Sequence, residues 1–294
     1  MTSATSVRMA SNVRTRNRRK TFQSLRTYGG VALILVWGLA PFYWMVITSF
    51  RDVKHTFDTT WWPTHVTFQN FRDALSTAKG NDFLGAIVNS LLIGAVTTGV
   101  ALTLGIFASY ALARIQFRGK YVVSGIILAA SMFPGVALIT PMFQLFGDLH
   151  WIGSYQALII PNISFVLPLT VYTLTSFMND MPWELEEAAR IDGATRAQAF
   201  RLIVLPLAAP ALFTTAILAF IATWNEFMLA SQLSTRDTEP VTVAIARFSG
   251  ENSFTQPYTA IMAAGTIVTV PLVIMVLVFQ RRIVSGLTAG GVKS

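Results

Sequence analysis

Six long apolar runs without Asp, Glu, Lys or Arg alternate with short polar or charged segments along the chain. They occupy residues 27–50, 83–113, 121–147, 149–179, 202–225 and 252–280. Each exceeds the roughly 20 residues that cross a bilayer core, and none is long enough to be read as two crossings. Lipid offers no hydrogen bonds to open backbone, so runs of this length predict helices. The pattern is that of an all-α integral membrane protein with six transmembrane helices.

One segment between these runs is strongly charged and still helix-patterned. It is MPWELEEAARIDGATRAQAFRLIVLPLAAP, residues 181–210. Pro182 suits a first helical turn, where its missing N–H would be unpaired anyway. Glu184, Glu186 and Glu187 follow it, near the positive end of the helix dipole. Gly193 marks a left-handed cap. Thr195 and Gln198 have the spacing of a capping box that opens a second helix. The prediction is two short helices meeting at a tight turn, a knob between two spans suited to docking in a groove. An ordinary amphipathic connecting loop would show the same periodicity.

Charge fixes the expected orientation. Only 12% of the 294 residues are charged and 53% are hydrophobic, against about 25% charged in a soluble domain. Residues 1–26 hold seven Arg or Lys and no acid, and are expected to form a disordered basic arm lying on anionic lipid. Arg114, Arg118 and Lys120 follow the second run, Arg190, Arg196 and Arg201 lie in the charged segment, and Arg281, Arg282 and Lys293 follow the last run. The alternate loops are poorer in basic residues: 51–82 has four against four acids, and 226–256 has two against four. The positive-inside rule puts both termini and the 181–210 segment in the cytoplasm. The basic excess is explained by orientation rather than by nucleic-acid binding.

Within the spans, Thr97, Ala101, Gly105, Ser109 and Ala113 recur every fourth residue, a small-residue stripe that lets another helix approach, in this chain or a partner. Pro134, Pro141, Pro161 and Pro168 fall in spans three and four. Proline frees carbonyls that lipid cannot satisfy, so broken helices lining a path are expected there, with Asn162, Ser164 and Thr170 as candidates to line it. Trp61-Trp62-Pro63 and the following Phe68, Phe71 and Leu75 read as an amphipathic cap or an aromatic belt.

The chemistry left out is informative. No run contains an interior Asp, Glu, Lys or Arg of the kind that ion-coupled carriers place at mid-membrane. No Gly-x-x-x-x-Gly-Lys-Ser/Thr loop is present. His55, His65 and His150 lie in outer loops without metal-ligand spacing, and cysteine is absent. An intramembrane enzyme has no reactive polar pair to use. Energy for active transport must come from another chain.

Residues Glu187-Ala188-Ala189, Asp192-Gly193-Ala194 and Ile203-x-Leu205-Pro206 resemble the EAA loop of ATP-binding-cassette importer permeases. The glycine follows the glutamate by six residues, and Ile203 stands ten beyond the glycine. The ending Gly286-Leu287-Thr288-Ala289-Gly290-Gly291-Val292-Lys293 is similar to the tail of the maltose-type G permease subunit. Phe279-Gln280-Arg281-Arg282-Ile283-Val284 looks like the actinobacterial trehalose-type importer permeases.

The resemblance implies an importer permease bundle at 27–280 with a coupling loop at 181–206, between a basic arm at 1–26 and a cytoplasmic tail at 281–294. It implies that Glu187, Ala188, Ala189, Asp192, Gly193 and Ala194 dock on an ATPase. Gly286, Leu287, Thr288, Ala289, Gly290 and Gly291 would reach between two ATPase subunits. Gly250, Glu251, Asn252, Ser253 and Phe254 would meet an extracytoplasmic sugar-binding protein. A second homologous permease completes the implied assembly, in a bacterial plasma (inner) membrane. ATP and Mg are held on the partner subunits and no cofactor on this chain. In that family the membrane sugar site can lie wholly on the other permease, so this chain is expected to hold no tight sugar site. The implied activity is ATP-driven import of an α-linked disaccharide or oligosaccharide, trehalose- or maltose-like, by alternating access. A stand-alone secondary carrier or facilitator, or a glycerol-phosphate-type importer permease, is the alternative.

Overall fold

The structure is a computed structural model that describes residues 3–77, 82–248 and 257–289, with side chains described from 26 to 279 within those limits. Among the described residues the backbone is helical, and the only β feature is an isolated bridge between Arg51 and Val66.

Helix α1 (Ser3–Ser49) carries the first span, Arg26–Ser49. Residues 3–26 continue it as helix, in place of the disordered arm expected from charge. No Gly or Pro interrupts the chain between Ser3 and Tyr28, so nothing local stops the helix. The loop that follows is tied back by α2 (Gln69–Leu75), where Asn70 Nδ2 donates to the Ser49 and Arg51 carbonyls at 2.8 and 2.7 Å. Phe71 packs on Phe50 with ring centroids 5.0 Å apart. Trp61 and Trp62 stay exposed. The segment is therefore a small cap with an exposed aromatic pair.

Helix α3 (Phe83–Arg114) is the centre of the bundle. Asp82 caps it by accepting from the Gly85 N–H at 2.9 Å. Thr97, Ala101, Gly105 and Ser109 are all buried, and they face α6 (Tyr155–Asp180). A Cβ on Gly105 would stand 2.6 Å from Thr170 Cγ2, so only glycine lets these two backbones approach so closely. Ala101, Val166 and Ala219 form a further small cluster where α9 (Leu205–Trp224) joins them. The small-residue stripe is thus used inside the chain.

The third apolar run departs from a straight crossing. Helices α4 (Lys120–Ser131) and α5 (Ile139–Asp148) are separated by Pro134 and a short 3₁₀ turn, and the two halves meet at 85°. By contrast, α6 keeps Pro161 and Pro168 inside one continuous 26-residue helix. The broken helix expected in span four is absent. Asn162 Nδ2 and Thr170 Oγ1 turn back to the Leu158 and Val166 carbonyls instead. Among the described residues, five helices are long and apolar enough to cross a membrane, and the bent pair brings the number to six if it forms one span.

After α9, the short helix α10 (Met228–Leu233) packs against α5 and α6, and α11 (Val241–Ala246) folds back on α3. Asn89 Nδ2 donates to the Asp237 and Glu239 carbonyls, both at 3.1 Å, while Tyr155 donates to Asn89 Oδ1 at 2.7 Å. Helix α12 (Tyr258–Ala289) completes the bundle beside α1. Large apolar side chains such as Leu33, Trp37 and Val278 point outward, as expected where lipid or another apolar surface is the solvent.

Candidate functional site

The charged segment forms the expected pair of short helices, α7 (Glu184–Ile191) and α8 (Arg196–Ala199). At the end of α7, the Ala194 N–H donates to the Ala189 carbonyl at 2.9 Å and the Gly193 N–H to the Arg190 carbonyl at 3.1 Å. Gly193 has φ 95°, so the turn is a left-handed Schellman cap that a side chain would strain. Thr195 then caps α8: its Oγ1 accepts from the Gln198 N–H, and Gln198 Oε1 accepts from the Thr195 N–H. One wide turn of π-helix, Phe200–Val204, leads into α9 immediately before Pro206. Proline has no N–H to return to the preceding turn, which favours such a local widening.

Two sets of contacts fix this knob to the last turns of α3. Glu186 is buried, and Tyr110 donates its hydroxyl to Glu186 Oε1 at 2.6 Å. Arg114 Nε lies 3.7 Å from Glu186 Oε2, with both side chains almost fully enclosed. The same guanidinium donates to the Met181 carbonyl at 3.0 Å and lies over the Trp183 ring at 5.1 Å. At the far end of the knob, Phe200 packs edge-on against Tyr110 at 4.8 Å and stacks on Phe107 at 5.6 Å. Helix α3 therefore grips both the start and the end of the knob.

The grip decides which side chains remain outside. Glu187, Ala188, Asp192 and Gly193 are exposed, and Ala189 and Ala194 are half-buried. Leu185 and Ile191 are exposed apolar residues on α7, and Leu202 is exposed on the π turn. The six residues singled out in the sequence thus share one turn and its flanks. Sequence reasoning missed Glu186, Arg114 and Tyr110. In the sequence Arg114 is the first charge after a long apolar run and Glu186 is one of three first-turn acids, and neither pattern pairs them.

Of the other expected sites, Gly250, Glu251, Asn252, Ser253 and Phe254 lie outside the described residues. Gly286, Leu287, Thr288 and Ala289 are the final helical residues of α12, and Gly290 and Gly291 lie outside the described residues. Among the described residues no group of three or more His, Asp or Glu is placed to hold a metal ion.

Residues 101–288 match the family described as binding-protein-dependent transport system inner membrane component. The chain is 42% identical over 270 residues to the trehalose transport system permease protein SugB of Mycobacterium tuberculosis, covering 91% of this chain and 97% of that protein. It is 39% identical to the trehalose/maltose transport system permease protein MalG of Thermococcus litoralis, covering 90% and 95%. It is 37% identical to the sulfoquinovosyl glycerol transport system permease protein SmoH of Agrobacterium fabrum, covering 89% and 91%. Among solved structures, it resembles a chain of a bacterial ABC transporter that imports the acidic polysaccharide alginate. The TM-score is 0.71 at 23% identity, covering 88% of this chain and 97% of that one; at that identity the likeness concerns the fold. The family match over most of the chain, with relatives this similar along nearly their full length, makes the chain a member of the binding-protein-dependent transport system inner membrane component family, the non-catalytic permease subunits of ABC importers, which leave ATP hydrolysis to separate ATPase subunits.

Proposed function

We propose that this chain is a permease subunit for ATP-driven import of a neutral α-linked disaccharide or oligosaccharide of the trehalose or maltose kind. The knob at 181–206 is its coupling element. The observation that carries this reading is the double anchorage of the knob on α3. Glu187, Ala188, Ala189, Asp192, Gly193 and Ala194 are offered on one turn whose two ends are fixed to a bundle helix. A lever needs such anchorage: a loosely tethered loop would absorb a partner's motion instead of passing it on. The sugar class is supported by the similarity to permeases of a trehalose and a trehalose/maltose transport system.

The partners in this reading are a second homologous permease, two ATPase subunits carrying ATP and Mg, and an extracytoplasmic sugar-binding protein. A solved relative of the fold was captured in complex with a pentasaccharide-bound periplasmic protein, with a TM-score of 0.69. Gly250 to Phe254 are assigned to the binding protein and Gly286 to Gly291 to the cleft between ATPases. Both termini lie in the cytoplasm, on the side where basic residues accumulate.

The test is co-purification in mild detergent followed by reconstitution in liposomes. Expected are a second permease and an ATPase that travel with the chain, and uptake of labelled trehalose or maltose that requires ATP and the binding protein. A chain that purified alone and moved solute without ATP would overturn the reading.

A further inference from the structure

A cleft that the coupling knob does not use lies between α6 and α9. It holds about 150 Å³, the liquid volume of roughly five waters. Asn162, Thr170 and Thr173 line it from α6, Thr215 lines it from α9, and Glu226 closes one end. No basic side chain lines it.

Thr215 differs from the other threonines of α9, although Thr97, Thr98 and Thr175 on the helices packed beside it also have unpaired hydroxyls. Thr170, Thr214 and Thr223 each return their hydroxyl to the carbonyl four residues back, at 2.9 to 3.0 Å. Thr215 is only 3% exposed, and its Oγ1 has no hydrogen-bond partner. A buried hydroxyl left unpaired is costly, and Thr215 belongs to the cleft wall, so a group that reached it from the cleft would relieve that cost. Glu226 is held in place by accepting the Leu229 N–H at 2.8 Å and the Ala230 N–H at 3.0 Å. An ionised carboxylate has about four lone-pair sites, so these two bonds leave capacity for further donors. Phe165 supplies an aromatic ring, and Val166, Leu169, Leu218, Ala219 and Ala222 make the rest of the wall apolar. The break between α4 and α5 also comes to this place: a Cβ on Gly135 would be 3.3 Å from the Phe165 ring.

Fixed acceptors, short hydroxyls, one aromatic ring and no cation suit a neutral, hydroxyl-rich ring. An anionic solute would meet Glu226 with nothing to offset it. We infer that this chain contributes its own subsite for one sugar ring of the transported solute, built from Asn162, Thr170, Thr173, Thr215 and Glu226 across the α6–α9 cleft. This rests on the reading of the chain as a sugar-importer permease. It departs from the expectation that the membrane sugar site lies wholly on the other permease.

The experiment uses the assembled importer in nanodiscs and liposomes, with trehalose and maltose as probes. The chain has no cysteine, so Thr173→Cys gives it a single thiol, whose labelling by a methanethiosulfonate is followed on this subunit by mass spectrometry. Expected is labelling that slows several-fold when the transported sugar is present at saturation. Thr215→Val keeps the shape and removes the hydroxyl. It should lower uptake at subsaturating sugar about fivefold, the equivalent of one hydrogen bond of about 1 kcal/mol, while ATP hydrolysis stimulated by sugar-loaded binding protein persists. A thiol that does not react, or that reacts at one rate with and without sugar, overturns the subsite, as does unchanged uptake by Thr215→Val. If Thr215→Val fails to assemble, thiol protection alone decides. A wild-type assembly that takes up neither sugar with ATP would instead overturn the importer reading on which the subsite rests.

Discussion

Replacing Glu186 with glutamine tests whether the knob transmits force through α3. The carboxylate and the Arg114 guanidinium stand 3.7 Å apart, with side chains 4% and 6% exposed. At an effective dielectric of about 20, the Coulomb attraction at that separation is about 4 kcal/mol. Desolvation of both groups offsets part of it. The glutamine keeps an acceptor for the Tyr110 hydroxyl, so the expected local loss is about 2 kcal/mol. Arg114 would retain its bond to the Met181 carbonyl and its place over Trp183, so the bundle should still fold. A loss of 2 kcal/mol raises the population of a detached knob about 30-fold. Two assays read this. Hydrogen exchange across 184–204 in the assembled importer should speed up, with little change in α3 above Gly105. Sugar moved per ATP hydrolysed should fall, because ATPase closure then moves a knob that no longer carries α3 with it. A double-mutant cycle with Arg114→Met should be clearly non-additive, since the two side chains share one interaction. Unchanged exchange and an unchanged transport ratio would refute the lever argument, even if uptake fell for other reasons.

Three further outcomes are expected. Gly193→Val forces a β-branched residue to φ 95°, costing about 1–2 kcal/mol or more; uptake should be lost while ATP is still hydrolysed, and if uptake and coupling were both unchanged the docking assignment would be wrong. Gly105→Leu drives side-chain atoms into Thr170, already 2.6 Å from a bare Cβ, and should destabilise the α3–α6 contact by about 1–3 kcal/mol, seen as a lower unfolding temperature in detergent. Asn89→Ala leaves the Asp237 and Glu239 carbonyls and the Tyr155 hydroxyl without that partner; about 1–3 kcal/mol is lost locally, and protease should cut more readily within 234–240.

Elements whose causes are local are legible in the amino-acid sequence. Long charge-free runs set the apolar helices, because lipid leaves the backbone no other way to satisfy its hydrogen bonds. Gly193, Thr195 and Gln198 set the turn and the capping box, since both depend on neighbouring φ angles and on bonds three residues apart. What required the tertiary structure was every choice between locally equivalent residues. Pro134 accompanies an 85° break, while Pro161 and Pro168 leave α6 continuous. The difference is support: α6 buries nine of its residues among the packed helices, whereas α4 buries none. Glu184, Glu186 and Glu187 are indistinguishable by spacing in a first turn, yet only Glu186 meets Tyr110, 76 positions away. Thr214 and Thr215 are neighbours of one type, and only Thr215 is left without a hydrogen bond beside the cleft. Periodicity fixes which face of a helix is apolar; it carries no information about which distant helix end will stand opposite, and that is settled only when the helices pack.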